Sequence, residues 1–247
     1  MRLRKSLLAI PCVTLVGLAG FAIAPTAVAD SFAPPSDDSI VYIKTTYTEV
    51  PVLDAVEEML GVNLDKPVEV SGTCSGWVAK VADNDAVIVT ARHCVDMEYG
   101  KKAVRKRAGS DVEVTRMVTV IKASTLNGEF EPKPLIAQVL DVMPVENGDV
   151  AVLRVSGLAQ PVVPLPLAPS QGNTGDAVAT VGFPAASTHT SPRLITTYGT
   201  LTSESSPIEP NGEYVVTSDA STSNGASGGP IINSDGQVVA MTSKGYK

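Results

Sequence analysis

A dense cluster of prolines divides this chain into two parts and constrains its fold more than any other feature. Four prolines fall within residues 156–171. Proline has no backbone N–H to donate to a sheet, so a central strand does not tolerate this density. We therefore predict a connector at residues 159–171, with one folded unit on each side of it.

Short apolar segments with β character occur on both sides of the connector. An Asn-Asp turn at residues 84–85 joins two of them as a hairpin. The segments before the connector are 76–81, 86–90, 112–115, 117–121, 137–142 and 150–155, and those after it are 177–181, 193–202, 213–217, 229–232 and 237–242. Two clusters of about six short strands predict an all-β protein made of two packed, six-stranded antiparallel β-barrels.

The N-terminus has the features of a secretory signal peptide. A basic head at residues 2–5 precedes an apolar run at 7–24, and Ala-Val-Ala follows at 27–29. This pattern predicts a signal peptide at residues 1–29 that is cut before Asp30, and a secreted protein, extracellular or in the cell envelope. An uncleaved membrane anchor is the alternative. Under the first interpretation, the protein meets the membrane only transiently, through its signal.

The charge of the mature chain argues against nucleic acid as a partner. Removing residues 1–29 leaves 16 basic and 26 acidic side chains, a net charge of −10. Binding to phosphates needs clustered Lys and Arg on a basic surface. The one basic run, Lys101–Arg107, is predicted to be a solvated hairpin.

Two cysteines, Cys74 and Cys94, remain after signal cleavage. In an oxidising exterior a lone pair usually forms a disulfide, and closing a loop of about 20 residues would stabilise the fold by roughly 3 kcal/mol. A metal site is the weaker alternative, because two Cys and two His spread over the chain match no zinc spacing. We expect no metal and no cofactor.

The remaining boundaries follow from these features. Residues 30–67 are predicted to be an N-terminal lead-in with a short amphipathic helix at Val52–Leu60, where apolar residues recur at helical spacing. The first barrel is predicted at residues 68–158 and the second at 172–247.

Two residues stand out as candidates for hydrolytic chemistry. Of the two histidines, His93 ends a strand, whereas His189 lies in a polar loop. Ser227 lies in Asn-Gly-Ala-Ser-Gly-Gly-Pro, whose glycines permit a tight turn. Such a turn can direct the amides of Gly225 and Ser227 at one point, which would make an oxyanion hole.

These motifs resemble the chymotrypsin-like serine proteases. Thr-Ala-Arg-His-Cys resembles their histidine segment, Gly-Ala-Ser-Gly-Gly-Pro their nucleophile segment, and Gly-Asp-Val-Ala-Val-Leu the strand that carries their aspartate. The resemblance implies a triad of His93, Asp149 and Ser227, in the chain order of that family. Residues 180–184 resemble a segment of bacterial glutamyl endopeptidases. Asp219 matches an element of glutamyl endopeptidases and of high-temperature-requirement type proteases.

The chain also departs from the family pattern. Ala226 replaces the aspartate that pairs with a new N-terminal amine in zymogen-activated members, so activation of that kind is not expected. Only Lys244–Lys247 follow the segment after which the family adds a strand and a helix. The second barrel is therefore expected to be truncated at its C-terminus.

The resemblance implies a secreted serine endopeptidase that hydrolyses protein or peptide substrates through an acyl-enzyme on Ser227. The alternative is a catalytically inactive protease homologue that binds peptides or proteins without cutting them, since Ala226 and the early end of the chain depart from active members.

Overall fold

The computed structural model describes residues 32, 35–50, 66–128, 133–144, 148–185, 192–203, 206–208 and 213–243. The predicted signal peptide, the predicted helix Val52–Leu60 and His189 lie outside these residues. Within the described ranges, no helix has both the length and the apolar character needed to cross a bilayer.

The first half of the chain forms a closed antiparallel β-barrel. Its strands are β1 (Ile40–Glu49), β2 (Glu69–Ala82), β3 (Asp85–Thr90), β4 (Val114–Lys122), β5 (Leu135–Val142) and β6 (Ala151–Ser156). Their order around the barrel is β1-β2-β3-β6-β5-β4, and β4 pairs again with β1. Alternate residues point inward, and Val41, Ile43, Ile88 and Leu153 are fully buried in the barrel core.

Strand β1 corrects the predicted start of this barrel. It lies within residues 30–67, which sequence analysis assigned to a lead-in, so the barrel begins at Ile40 rather than at residue 68. The threonines and tyrosines of β1 hide its alternation, although both residue types favour strands. Thr45 and Tyr47 are buried on the same side as Val41 and Ile43.

The basic run is a second correction, because it forms a helix and not a hairpin. Helix α1 spans Met97–Ala108. The Asp96 side chain accepts hydrogen bonds from the backbone N–H groups of Glu98 and Tyr99, which caps the N-terminus. Gly109, with φ of +75°, ends the helix in the left-handed conformation. A one-turn helix, α2 (Ala123–Gly128), follows β4.

The second half is also built from antiparallel strands. They are β7 (Ala177–Gly182), β8 (Ile195–Thr200), β9 (Ser206–Ile208), β10 (Glu213–Val215), β11 (Pro230–Ile232) and β12 (Val238–Met241). Among the described residues they form a four-stranded sheet, β12-β11-β7-β8, and a two-stranded ribbon, β10-β9. The predicted all-β class is confirmed: a closed six-stranded barrel is followed by a second antiparallel sheet.

The proline-rich segment contacts both halves. The Leu165 N–H donates to the Val78 carbonyl of the first barrel at 2.9 Å, and the Val238 N–H of the second sheet donates to the Pro166 carbonyl at 2.8 Å. An apolar cluster that includes Trp77 and Val181 packs strands of both halves together. The two halves thus meet along an apolar interface, and the loops that carry the candidate site residues lie on both sides of it.

Candidate active site

The predicted base, His93, is held by short-range structure. Strand β3 ends at Thr90, and a single 3-10 turn, Arg92–Cys94, carries the histidine. The next residue, Cys94, forms a disulfide with Cys74 on β2, as predicted. The backbone on the C-terminal side of His93 is therefore covalently tied to the barrel.

Asp149 lies just before β6 and contacts His93 with both carboxylate oxygens. Asp149 Oδ2 lies 2.7 Å from His93 Nδ1, and Asp149 Oδ1 accepts the His93 backbone N–H at 2.9 Å. The Asp149 carbonyl accepts the Arg92 N–H at 3.1 Å. A carboxylate at Nδ1 fixes that nitrogen as the donor and leaves Nε2 as the acceptor for a proton.

The environment of Asp149 keeps it ionised. Burial would raise the pKa of Asp149, but the hydrogen bonds from His93 and Ser243, with the attraction of a charged His93, more than offset burial and lower the pKa below its ordinary value of 3.8. The carboxylate is therefore charged at neutral pH and can stabilise a positive charge on the imidazole.

Two consecutive turns present Ser227. A backbone hydrogen bond of 3.1 Å closes the turn Ser223–Ala226, and one of 2.9 Å closes the turn Ala226–Gly229. Gly225 and Gly228 occupy the third position of each turn, with φ of +92° and +83°. Type II turns require positive φ at that position, which explains the glycines on each side of Ser227.

Gly228 is also required because its surroundings leave no room for a side chain. A Cβ atom at Gly228 would lie 2.2 Å from Thr90 Oγ1 and 2.3 Å from the Ser75 carbonyl oxygen. We call residues 223–229 the nucleophile loop, because they carry the predicted nucleophile Ser227. Since Gly228 has no side chain, this loop can pack directly on the end of β3, next to the turn that carries His93.

Ser75 holds the nucleophile loop against the first barrel, a role that sequence analysis did not find. Its N–H donates to the Ser227 carbonyl and its hydroxyl to the Gly225 carbonyl, both at 2.8 Å. The Ser75 hydroxyl also accepts the Phe183 N–H at 2.8 Å. Ser75 is completely buried. The Gly225 carbonyl that it bonds is 150 residues away in sequence, so no local pattern points to this role.

Ser243 links the nucleophile to the histidine–aspartate pair and was also missed. Ser227 Oγ donates to the Ser243 carbonyl at 3.3 Å, and Ser243 Oγ donates to Asp149 Oδ2 at 2.5 Å. Two hydrogen bonds of Ser243 thus connect Ser227 to Asp149. Within the described part of the chain, the Ser227 hydroxyl makes this hydrogen bond and none to His93.

The two amides predicted to form an oxyanion hole make no hydrogen bond among the described residues. Gly225 N–H and Ser227 N–H donate to no acceptor among the described residues, whereas the intervening Ala226 N–H closes a turn and the Gly228 N–H donates to Thr242 O at 2.7 Å. The two amides, which are separated by one residue, therefore have no acceptor within the described ranges.

A cleft of about 230 Å³ lies beside the nucleophile loop. Its lining is uncharged: Thr180, Gly182, Pro184, Ile195, Thr197, Ser221, Thr222, Ser223 and Ala226. Ala226 contributes a methyl group where zymogen-activated proteases have a carboxylate.

The geometry also brings Cys74, Cys94 and His93 together, with their potential ligand atoms within 4.8 Å of one another. Metal ions bind cysteine as the thiolate. Both sulfurs are joined in the disulfide, so these three residues do not act as a metal-ligand set in this state.

The closed barrel, the second sheet and a histidine–aspartate pair beside a glycine-flanked serine define a chymotrypsin-like β protein. A family model described as a trypsin-like peptidase domain matches residues 74–241. The chain belongs to this family, and the resemblance predicted from sequence is confirmed.

Two solved structures share this fold. The chain is similar to the HtrA-type protease AlgW with a decapeptide, at 18% identity and a TM-score of 0.56, over 91% of this chain and 60% of that chain. It is also similar to Deg5, at 20% identity and a TM-score of 0.55, over 89% of this chain and 83% of that chain. The chain thus spans about three fifths of the AlgW chain. No curated protein matches it.

Proposed function

We propose that this protein is a secreted serine endopeptidase whose catalytic triad is His93, Asp149 and Ser227. The observation that carries the proposal is the double contact of the Asp149 carboxylate with His93, at 2.7 and 2.9 Å, on loops packed against the Ser227 turn. A histidine oriented by a partly buried carboxylate beside a serine on a glycine-containing turn is the arrangement that activates a hydroxyl for acyl transfer.

In this mechanism His93 moves protons between the nucleophile and the leaving group. The Ser227 hydroxyl turns from the Ser243 carbonyl towards His93 Nε2, gives up its proton and attacks the scissile carbonyl carbon. The protonated imidazole then donates that proton to the leaving amine, which breaks the peptide bond and leaves an acyl-enzyme. Water then loses a proton to His93 and attacks the acyl carbon; the bond to Ser227 Oγ breaks, the acid product leaves, and His93 returns the proton to Ser227 Oγ.

Two other groups stabilise the charges that develop. Gly225 N–H and Ser227 N–H, which have no acceptor among the described residues, would donate to the oxyanion of the tetrahedral intermediate. Asp149, with its lowered pKa, stays ionised and stabilises the imidazolium. Ser243 Oγ donates to Asp149 Oδ2, the same oxygen that contacts His93 Nδ1, and so helps to orient the carboxylate.

Protein and peptide substrates fit this chemistry. One structure with the same fold is of an HtrA-type protease with a decapeptide, which supports a peptide or protein substrate for this chain. Secretion rests on the sequence of residues 1–29 and is testable by itself. The N-terminal sequence of protein recovered from the culture medium or envelope should begin at Asp30; an intact N-terminus retained in the membrane would contradict cleavage.

A peptide-binding protein without activity is the second candidate. It is favoured by the Ser227 hydroxyl, which donates to Ser243 O and not to His93. In such a protein the His93–Asp149 pair would hold the loop in place and perform no proton transfer.

Hydrolysis of an unfolded protein substrate distinguishes the two candidates. The mature protein should cut it, and the variants Ser227→Ala and His93→Ala should each lose at least a thousandfold in kcat/KM, as expected when one member of a triad is removed. A folded wild-type protein that binds the substrate but leaves it intact would support the peptide-binding candidate.

A further inference from the structure

Helix α1 concentrates positive charge on an acidic protein. Five of the sixteen Lys and Arg residues that follow the predicted signal peptide lie in the run 101–107, although the mature chain has a net charge of −10. The helix begins at Met97, four residues after His93.

Some of these cations are neutralised locally. Lys101 pairs with Glu98 at 2.8 Å, and Arg105 pairs with Asp111 at 2.7 Å. Lys102 and Lys106 make neither an ion pair nor a side-chain hydrogen bond within the described residues. Both are exposed, so their charges are free to act on a partner.

The two free lysines share one face of the helix with an exposed aromatic ring. Tyr99, Lys102 and Lys106 are spaced three and four residues apart, which places them in one row along the helix. Tyr99 is 64% exposed, the largest exposed fraction for any aromatic side chain in the described ranges. At 1.5 Å per residue, the row extends about 10 Å along the helix axis.

The row is fixed relative to the active site. Arg92, the neighbour of His93, pairs with the N-cap Asp96 at 2.7 Å, and the Tyr47 hydroxyl donates to the Asp96 carbonyl at 2.9 Å. Gly100 lies directly on the Tyr47 ring, where a Cβ would come within 2.0 Å of it. The helix cannot turn its basic face away without breaking these contacts.

We propose that the row Tyr99–Lys102–Lys106 is an exosite that binds an acidic segment of the protein substrate. Charge complementarity carries the proposal: the net negative charge of the chain disfavours such a segment, and the unpaired lysines of the row attract it. An extended peptide rises about 3.3 Å per residue, so three residues cover the row. This inference rests on the proposed endopeptidase function and adds to it a class of substrate.

Binding to the Ser227→Ala protein tests the exosite without requiring catalysis. The probes are a dye-labelled peptide that contains a run of aspartates and the same peptide with asparagines. We expect the aspartate peptide to bind more tightly, and the double variant Lys102→Glu/Lys106→Glu to weaken it about tenfold, since each exposed pair contributes up to about fivefold. Raising the salt concentration should remove the difference.

A matched control separates the row from overall charge. The double variant Lys44→Glu/Lys80→Glu reverses two exposed lysines on β1 and β2 and should leave binding within twofold. An equal loss in both double variants, equal binding of the two peptides, or retention of an anionic polysaccharide in place of the aspartate peptide would overturn the exosite.

The wild-type protein separates failure of the exosite from failure of the proposed function. With peptides that share one cleavable sequence, aspartates beside it should raise kcat/KM about tenfold, mainly through KM, and only in proteins that retain Lys102 and Lys106. A wild-type protein that cuts both peptides equally refutes the exosite alone. Selective binding by a protein that cuts neither peptide refutes the endopeptidase.

Discussion

At the scale of single residues, Asp149 organises the candidate site. It receives hydrogen bonds from His93 and from Ser243, and these interactions outweigh the burial that would otherwise raise its pKa. Folding therefore favours the charged form of this carboxyl. By linkage, the same interactions make the stability of the fold depend on pH.

The sign of this dependence follows from the lowered pKa of Asp149. Its contribution to stability is fully present above the unfolded value near 3.8 and is lost as the pH falls through the lower pKa of the folded state. Urea unfolding of wild type and Asp149→Asn between pH 7 and pH 2.5 should show a smaller acid loss in the variant. Equal acid losses in the two proteins would contradict a stabilised carboxylate. Asp38 also has a lowered pKa, because of its hydrogen bond with Lys122. It is present in both proteins, so its contribution to the acid loss is the same in each and does not affect the comparison.

Ser75 offers a second test at this scale. Ser75→Ala would remove the hydroxyl that bonds the Gly225 carbonyl and the Phe183 N–H, both in a buried setting. We expect a loss of about 1–3 kcal/mol in the free energy of unfolding. The exposed Ser71→Ala, on the same strand, should stay within about 0.5 kcal/mol. A Ser75→Ala protein as stable as Ser71→Ala would show that the nucleophile loop does not depend on this contact.

Sequence patterns point to the residues of the proposed triad more readily than to the residues that hold them in place. His93, Asp149 and Ser227 lie in recognisable local motifs, and the structure pairs the first two directly. Ser75 and Ser243 lie in no comparable motif, because their partners are 150 and 94 residues away. Contacts of this kind are set by the packing of two halves and leave no periodic signal in one chain.

At the scale of elements, helix α1 shows how a local signal can be read wrongly. A run of basic residues suits an exposed hairpin or an exposed helix equally well, and the caps decide between them. Asp96 accepts two backbone N–H groups at the start of α1, and Gly109 ends it. Strand β1 was missed for a related reason: its core-facing positions include Thr45 and Tyr47, which do not count as apolar in a simple pattern.

The contact between α1 and β1 leads to a prediction for Gly100. A methyl group there would collide with the Tyr47 ring at 2.0 Å, so Gly100→Ala should destabilise the protein by about 1–3 kcal/mol despite the better helix propensity of alanine. Urea unfolding measures the change. The exposed Lys102→Ala in the same helix is the control and should have little effect. A stabilised Gly100→Ala would mean that α1 does not pack on β1 as described.

At the scale of the whole molecule, one apolar cluster joins the two halves. It contains Ile40 and Trp77 from the first barrel, Val181 and Ile232 from the second sheet, and Phe32 from the N-terminal segment. The Phe32 ring lies 5.6 Å from that of Tyr198 on β8. The general division into two β units was predictable from the proline cluster, whereas the use of Phe32 as part of the shared core was not.

Phe32 should therefore contribute more to the stability of the fold than its place in the predicted lead-in suggests. Phe32→Ala is expected to lower the free energy of unfolding by about 3 kcal/mol, because a ring that is 7% exposed leaves a cavity. Leu167→Ala, at a side chain that is 70% exposed, should change it by less than about 0.5 kcal/mol. Similar values for the two variants, in denaturant titrations, would show that the N-terminal segment is not part of the core.

The measurement that tests the central claim most directly is covalent labelling of the mature protein with a fluorophosphonate, followed by mass spectrometry of the modified peptide. Such a probe reacts with a serine hydroxyl only when a base and an oxyanion hole activate it. We predict one label per molecule, located on Ser227 and absent from both Ser227→Ala and His93→Ala. A folded protein that takes up no label, or takes it up equally in the His93→Ala variant, would contradict the proposed triad.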